Sequence, residues 1–217
     1  MVWKRLKQSL AQRVRRHPGQ SLVEFTILLP VLLIMISGLI EFGFMLNYYL
    51  DLIDAAREAA RWGAGDDPIH DDTTGAYVPI NEGFYNRVGS VAESSIDTGS
   101  GGQISLNPST DDVVISAFGI SGGVVDQRYP TAFGEAGHCR FGYPGACRHA
   151  SEFTSAEVTA LIDPSAPSTG AVLVEIWYDY HMILGLPWIT AFVPNPVTLY
   201  AYSIMPNSAV EPTPVTP

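Results

Sequence analysis

The sequence predicts an α+β protein: a long N-terminal transmembrane helix that continues outside the membrane, followed by a small antiparallel β-sheet domain. Three observations predict it. Residues 25–44 form an apolar run in which only Thr26, Ser37 and Glu41 are polar. Residues 51–62 follow with strong helix formers. Beyond them, short β-branched and aromatic runs alternate with stretches rich in Gly, Pro, Ser and Thr.

The apolar run has the length a membrane requires, since about 20 helical residues cover roughly 30 Å, the thickness of the hydrocarbon core. A buried core helix is usually shorter and amphipathic. A cleaved secretory signal fits poorly too: its apolar part is only about 7–15 residues long. The bulky Gly43-Phe44-Met45-Leu46 offers no Ala-x-Ala site.

Charge orients the span. Lys4, Arg5, Lys7, Arg13, Arg15 and Arg16 precede it with no acidic residue among them. Positive charge holds that end in the cytoplasm. The rest of the chain carries 6 basic against all 22 acidic residues, a formal charge of −16, and is expected on the extracytoplasmic side. An acidic exterior also argues against nucleic-acid binding, which needs a basic footprint. The expected organisation is a basic cytoplasmic leader at 1–19, a helix at 20–64 with its span at about 25–46, a globular domain at 65–205 and a Pro-rich disordered tail at 206–217.

Gly19 and Gln20 mark a candidate processing site, with Glu24 five residues beyond the glycine and Phe25 after it. A carboxylate at the bilayer edge needs protonation, a partner or water. Cleavage after Gly19 creates a positive α-amino group on Gln20, about one turn from Glu24. That amine, on the same subunit or a neighbour, neutralises the acid; the alternative is hydration in the headgroup zone. Glu41, near the outer edge, is expected to reach interfacial water, with a partner subunit as the other possibility.

Past the span, Tyr48 and Tyr49 fall where an interfacial aromatic belt sits. Asp54–Arg57 and Glu58–Arg61 are opposite-charge pairs at i,i+3. Arg57 and Arg61 share one helix face, either as a solvated surface or as a docking face for a neighbouring subunit or the chain's own domain. Gly63 and Gly65 end the helix. Pro30 and Ser37-Gly38 are soft points within it.

These residues resemble the TadE-like proteins: Gly19-Gln-Ser-Leu-Val-Glu24-Phe25, Leu29-Pro30, Gly38-Leu-Ile-Glu41-Phe-Gly43, and the Ala-rich segment with Arg57 and Arg61 that ends at Gly63-Ala. The likeness covers about residues 19–64, with a weaker likeness in the C-terminal strands near 171–205. TadE-like proteins are minor pilins or pseudopilins of tight-adherence (Tad, Flp-type) pili. The resemblance implies a pilin-like fold, a prepilin peptidase that cuts after Gly19, and a retained helix that packs into a pilus or helps to start one. It implies Glu24, Phe25, Arg57 and Arg61 as assembly contacts. Other pilins or pseudopilins, the prepilin peptidase and the Tad secretion platform are the implied partners. The other reading is an uncleaved, single-pass anchored binding module for an extracytoplasmic ligand.

In the globular region, residues 113–118, 170–180 and 197–204 read as strands, and 84–95 and 151–162 as short helices, the latter capped by Ser151 or Thr154. Cys139 and Cys147 are expected to form a disulfide outside the cytoplasm. His138 and His149 flank them, but His-Cys-x7-Cys-x-His lacks the paired spacing of a zinc site. The acids Asp66, Asp67, Asp71 and Asp72, with His70, and the pair Asp111-Asp112, lack the alternation of a calcium loop and read as solvated loop residues. His181 reads as structural. No hydrolase, metalloprotease, Walker A or dinucleotide motif occurs, so neither an enzyme nor a cofactor is expected.

Overall fold

The computed structural model describes residues 20–71, 73–97, 99, 102–163 and 169–210. The leader with Gly19, the acid Asp72 and the end of the tail at 211–217 lie outside the described residues. Helix α1 (Gln20–Gly63) is 44 residues long, about 66 Å at 1.5 Å per residue. It continues through Pro30 and Ser37-Gly38 without a break.

Helix α2 (Glu82–Ile96), capped by the Asn81 side chain, lies beside the outer half of α1. A sheet follows, built from β1 (Asp112–Ser121), β2 (Val124–Tyr129), the two-residue β3 (His138–Cys139), β4 (Thr169–Tyr180) and β5 (Val197–Pro206). Its order is β2-β1-β4-β5, every pairing is antiparallel, and β3 shares an edge of β1 with β2. The short helices α3 (Ser155–Leu161) and α4 (Pro187–Thr190) lie between strands. The fold class is therefore α+β, as the sequence predicts.

The sheet is a middle layer. Val113, Ile115 and Ala117 of β1 and Val172, Val174 and Ile176 of β4 face the helices, where they meet Leu52 and Ala55 of α1 and Phe84 and Val88 of α2. Phe118, Ile120, Ala171 and Leu173 face the other way and pack on Val158 of α3. Burial on both faces explains why β4 reads as a nearly continuous apolar run rather than a strict alternation. Each large side chain fully buried here contributes about 1.5–3 kcal/mol.

Alanine sets how closely α1 approaches the sheet. Ala55, Ala56, Ala59 and Ala60 are all buried on its inward face. At the helix end, a Cβ on Gly63 would come within 3.1 Å of Val88 and 3.3 Å of Val172, so a side chain there would push the layers apart. Asn207 closes this end. Its amide donates to the carbonyls of Gly63 (2.8 Å) and Asp66 (2.9 Å), while its Oδ1 accepts from the Ala209 N–H (2.8 Å). Terminal helix carbonyls lack partners within the helix, and a buried one needs a donor. Asn207→Ala is expected to lower domain stability by about 2 kcal/mol, read from denaturant unfolding in detergent.

Sequence and structure diverge in several places. The folded unit runs past the expected boundary at 205: Asn207 is fully buried and Val210 nearly so, while the chain turns through a 3₁₀ segment at Ser208–Val210. Strand β2 was not expected. It is an exposed edge strand joined to β1 by Gly122 and Gly123, both at positive φ, the backbone that tight hairpins require. Asp54 and Arg57 pair at 3.3 Å on an exposed surface, whereas among the described residues Glu58 and Arg61 do not pair.

Cys139 and Cys147 are joined as a disulfide, tying β3 to the following loop. His138 is not turned toward it as a ligand. Its ring stacks on Tyr85 at 4.7 Å, with Phe133 and Tyr143 around it. His149 stacks on Trp177 at 5.2 Å and its Nε2 lies 3.1 Å from the Thr110 carbonyl. The acidic loop is organised by its own bonds. Asp66 pairs with Arg87 at 2.6 Å, Asp67 accepts from the Ile69 and His70 N–H groups, and Asp71 accepts from Thr73 and Thr74. Asp111 and Asp112 are buried rather than solvated, and accept backbone N–H groups from Asn107, Asp179, Phe141 and Arg148. No group of three or more His, Cys, Asp or Glu positioned for a metal occurs among the described residues.

Burial pushes the His138 imidazole down to about 4, with Glu82 pulling it up and Arg140 pushing it further down. A histidine whose folded pKa is depressed stabilises the fold above its unfolded pKa, near 6.5. That stability is lost as pH falls from about 6.5 toward 4, and amounts to about 3 kcal/mol. Burial raises the Glu175 carboxyl, which works in the opposite sense on acidification. His138→Phe is expected to flatten the fall in unfolding midpoint between pH 7 and pH 4.5.

Candidate functional site on the N-terminal helix

Helix α1 has three regimes. From Leu52 to Gly63 its inner face is covered by α2, β4 and β5. From Ser37 to Asp51 one face is still partly covered, and from Ser21 to Ile36 side chains stand bare on every side: Leu22, Ile27 and Met35 are each about two-thirds exposed, as is Leu39 on the uncovered face above them. The Ser21–Gly63 helix is apolar and long enough to cross a membrane, which makes it a candidate membrane anchor. Exposed apolar surface on this scale is stable only against lipid or other helices.

Glu24 and Phe25 lie near the start of this bare surface, both exposed. Among the described residues Glu24 makes no hydrogen bond or ion pair. Arg57 and Arg61 are exposed on the outer half of the helix, turned away from the chain's own domain. The docking face expected for them is therefore not a contact with that domain.

Ser37 and Glu41 lie on the partly covered face, and both are engaged by the globular domain. Glu41 is only 5% exposed. Its Oε1 accepts from the Tyr180 hydroxyl at 2.6 Å and the Ile183 N–H at 2.9 Å, and its Oε2 accepts from the Leu184 N–H at 2.8 Å. One turn below, the Ser37 hydroxyl accepts from the Trp188 indole N–H at 3.0 Å. The expectation that Glu41 reaches interfacial water is thus overturned. Its partners belong to its own chain, more than 130 residues later, and consecutive backbone N–H groups form a concave anion seat of a kind no short motif announces.

These bonds fix the angle between helix and domain. Above them Tyr48 packs between Tyr178 (6.0 Å) and Tyr180 (5.2 Å). The Tyr48 ring therefore serves the junction with the sheet rather than a lone interfacial belt.

Residues 19–61 match the TadE-like protein family. The TadE-like segment thus contains Glu24, Phe25, Ser37, Glu41, Arg57 and Arg61. It suggests a Tad pilus-associated protein, with pilus components as partners and membrane association through the N-terminal helix. The weaker likeness near 171–205 lies outside the matched range. No curated protein and no solved structure matches the chain.

A second constellation lies inside the domain and escaped the sequence reading. Arg128 is 6% exposed and donates to Glu135 (2.7 Å), the Phe153 carbonyl (2.6 Å) and Ser116 (2.8 Å). Nearby, Glu175 is fully buried and accepts from Tyr200 (2.7 Å) and the Glu152 N–H (2.9 Å). Burial raises its carboxyl above the ordinary range. Burial also opposes ionisation of Glu135, but Ser155 and Arg128 outweigh it and hold that carboxyl low. The network ties β1, β2, β4 and the α3 loop together. Neither Arg128 nor Glu135 belongs to a catalytic spacing pattern.

Proposed function

We propose that the chain is a minor pilin or pseudopilin that takes part in assembly or priming of a Tad-type, type IV-like pilus for adhesion. Prepilin peptidase cuts after Gly19, on the cytoplasmic side. The helix stays in the membrane with the domain outside, then leaves the lipid sideways into contact with other pilin helices. Glu24 pairs with the new amine of Gln20, in cis or on a neighbour, which removes the cost of an acid at the bilayer edge.

The start of α1 carries this assignment: an apolar surface bare all round from Ser21 to Ile36, with Glu24 unpaired among the described residues, suits a helix that exchanges lipid for other helices. Partners are other pilins, the peptidase and the Tad platform; no nucleic-acid partner is implied. Deleting the gene and counting surface filaments is the test. Loss of filaments, restored by the full chain, is the expected result; unchanged filament number and adhesion would remove the assembly role.

A different reading, an uncleaved anchored binding module, draws on one feature. A cleft of about 600 Å³ on the sheet's outer face is lined by Phe153, Leu161, Trp177 and Tyr200. Under that reading, filaments persist in the deletion strain and only attachment is lost.

A further inference from the structure

The segment joining β4 to β5, residues 181–196, contains no Asp, Glu, Lys or Arg in a chain with 22 acidic residues. It presents Ile183 (51%), Trp188 (41%) and Phe192 (88%) to the surroundings, an unusual cost for a loop in water. Its position explains the cost. Trp188 is bonded to Ser37 and the Ile183–Leu184 turn to Glu41, both within the apolar run of α1. Phe44, the end of that run, stands about 10 Å above Ser37 at 1.5 Å per residue. On the helix, Leu39, Ile40, Phe42 and Phe44 remain exposed at the height of the loop and above it. Loop and helix therefore form one apolar band.

We propose that residues 181–196 are embedded in the outer leaflet of the bilayer beside α1, resting on the reading of α1 as a span. The partner is the acyl-chain and headgroup boundary of a lipid surface. Irregular backbone enters that zone only where its polar groups are satisfied. Here they are widely satisfied. The N–H of Met182 donates to Asn195, and those of Ile183 and Leu184 to Glu41. The N–H groups of residues 189 to 193 donate to the carbonyls of Leu186, Pro187 and Ile189. Trp188 takes the interfacial role that tryptophan fills at membrane surfaces. The loop thus holds the globular domain down on the membrane, at a fixed tilt to the helix.

The full-length protein, reconstituted in phosphatidylethanolamine–phosphatidylglycerol vesicles, carries a nitroxide at one introduced cysteine; both native cysteines are occupied by the disulfide. Three variants are compared: Phe192→Cys in the loop, Leu39→Cys in the span and Asp126→Cys on the exposed edge strand. Accessibility to oxygen against a water-soluble nickel chelate reads depth. The expected result is an oxygen-to-nickel ratio at 192 several-fold above that at 126 and approaching that at 39. A ratio at 192 equal to that at 126, with 39 still lipid-like, overturns the proposal and leaves the span intact. Shielding of 192 from both reagents means a second protein copy covers the loop, and also overturns it. A water-like ratio at 39 removes the span reading itself, and the proposal with it.

Discussion

Glu41→Ala is expected to free the domain from the lower half of α1 and to cost about 4 kcal/mol, because it strips the acceptor from one hydroxyl and two backbone N–H groups at once. In a domain of this size that corresponds to about 10 °C in thermal midpoint. Chymotrypsin in detergent is expected to cut at Leu184, Trp188 and Phe192 faster than in the parent. Tyr180→Phe removes a single donor and is expected to cost about 1 kcal/mol. Equal, small effects from both substitutions would mean that the carboxylate does not organise this junction.

The second large effect concerns the start of the helix. Gly19→Ala is expected to leave the precursor uncut, membrane-inserted and absent from filaments. Glu24→Ala is expected to permit cleavage but lower incorporation by roughly 10- to 100-fold, equivalent to the 1.5–3 kcal/mol of a bond to a charged group. Under the proposed role the two differ in a useful way: the glycine substitution is expected to act on processing, and the acid substitution on docking of the processed helix. Comparing the N-terminal mass with the filament-bound fraction separates them. Normal incorporation of Glu24→Ala would leave that acid as a hydrated interfacial residue.

Helix α1 was legible because a long helix of this kind announces itself locally, through a continuous apolar run followed by strong helix formers. Strands β1, β4 and β5 were legible as β-branched and aromatic runs. Strand β2 was not: Val124-Val-Asp-Gln-Arg-Tyr129 lies at an edge, mostly exposed, and its pairing depends on the glycine turn before it. The two expected short helices exist, and the cap of α3 is Thr154, with Glu157 completing a capping box. Less of the site could be read. Glu41 and Ser37 stood out as polar residues in an apolar run, but their partners are a tyrosine hydroxyl, two backbone N–H groups and a tryptophan about 140–150 residues later. Backbone donors carry no residue signature, and a loop rich in Gly and Pro gives no period to follow. Arg128 and Glu175 were missed for different reasons: Arg128 lies in the edge strand that carries no strand signal, and Glu175, inside a run that reads as a strand, looks like a solvent-facing position until the second covering layer is known.

Intact mass and N-terminal sequencing of the membrane-extracted protein, from cells with and without the prepilin peptidase, bear most directly on the pilin assignment. A peptidase-dependent N-terminus at Gln20, lost in Gly19→Ala, is the predicted result. An uncut N-terminus together with full function of Gly19→Ala would contradict it and leave a permanently anchored protein.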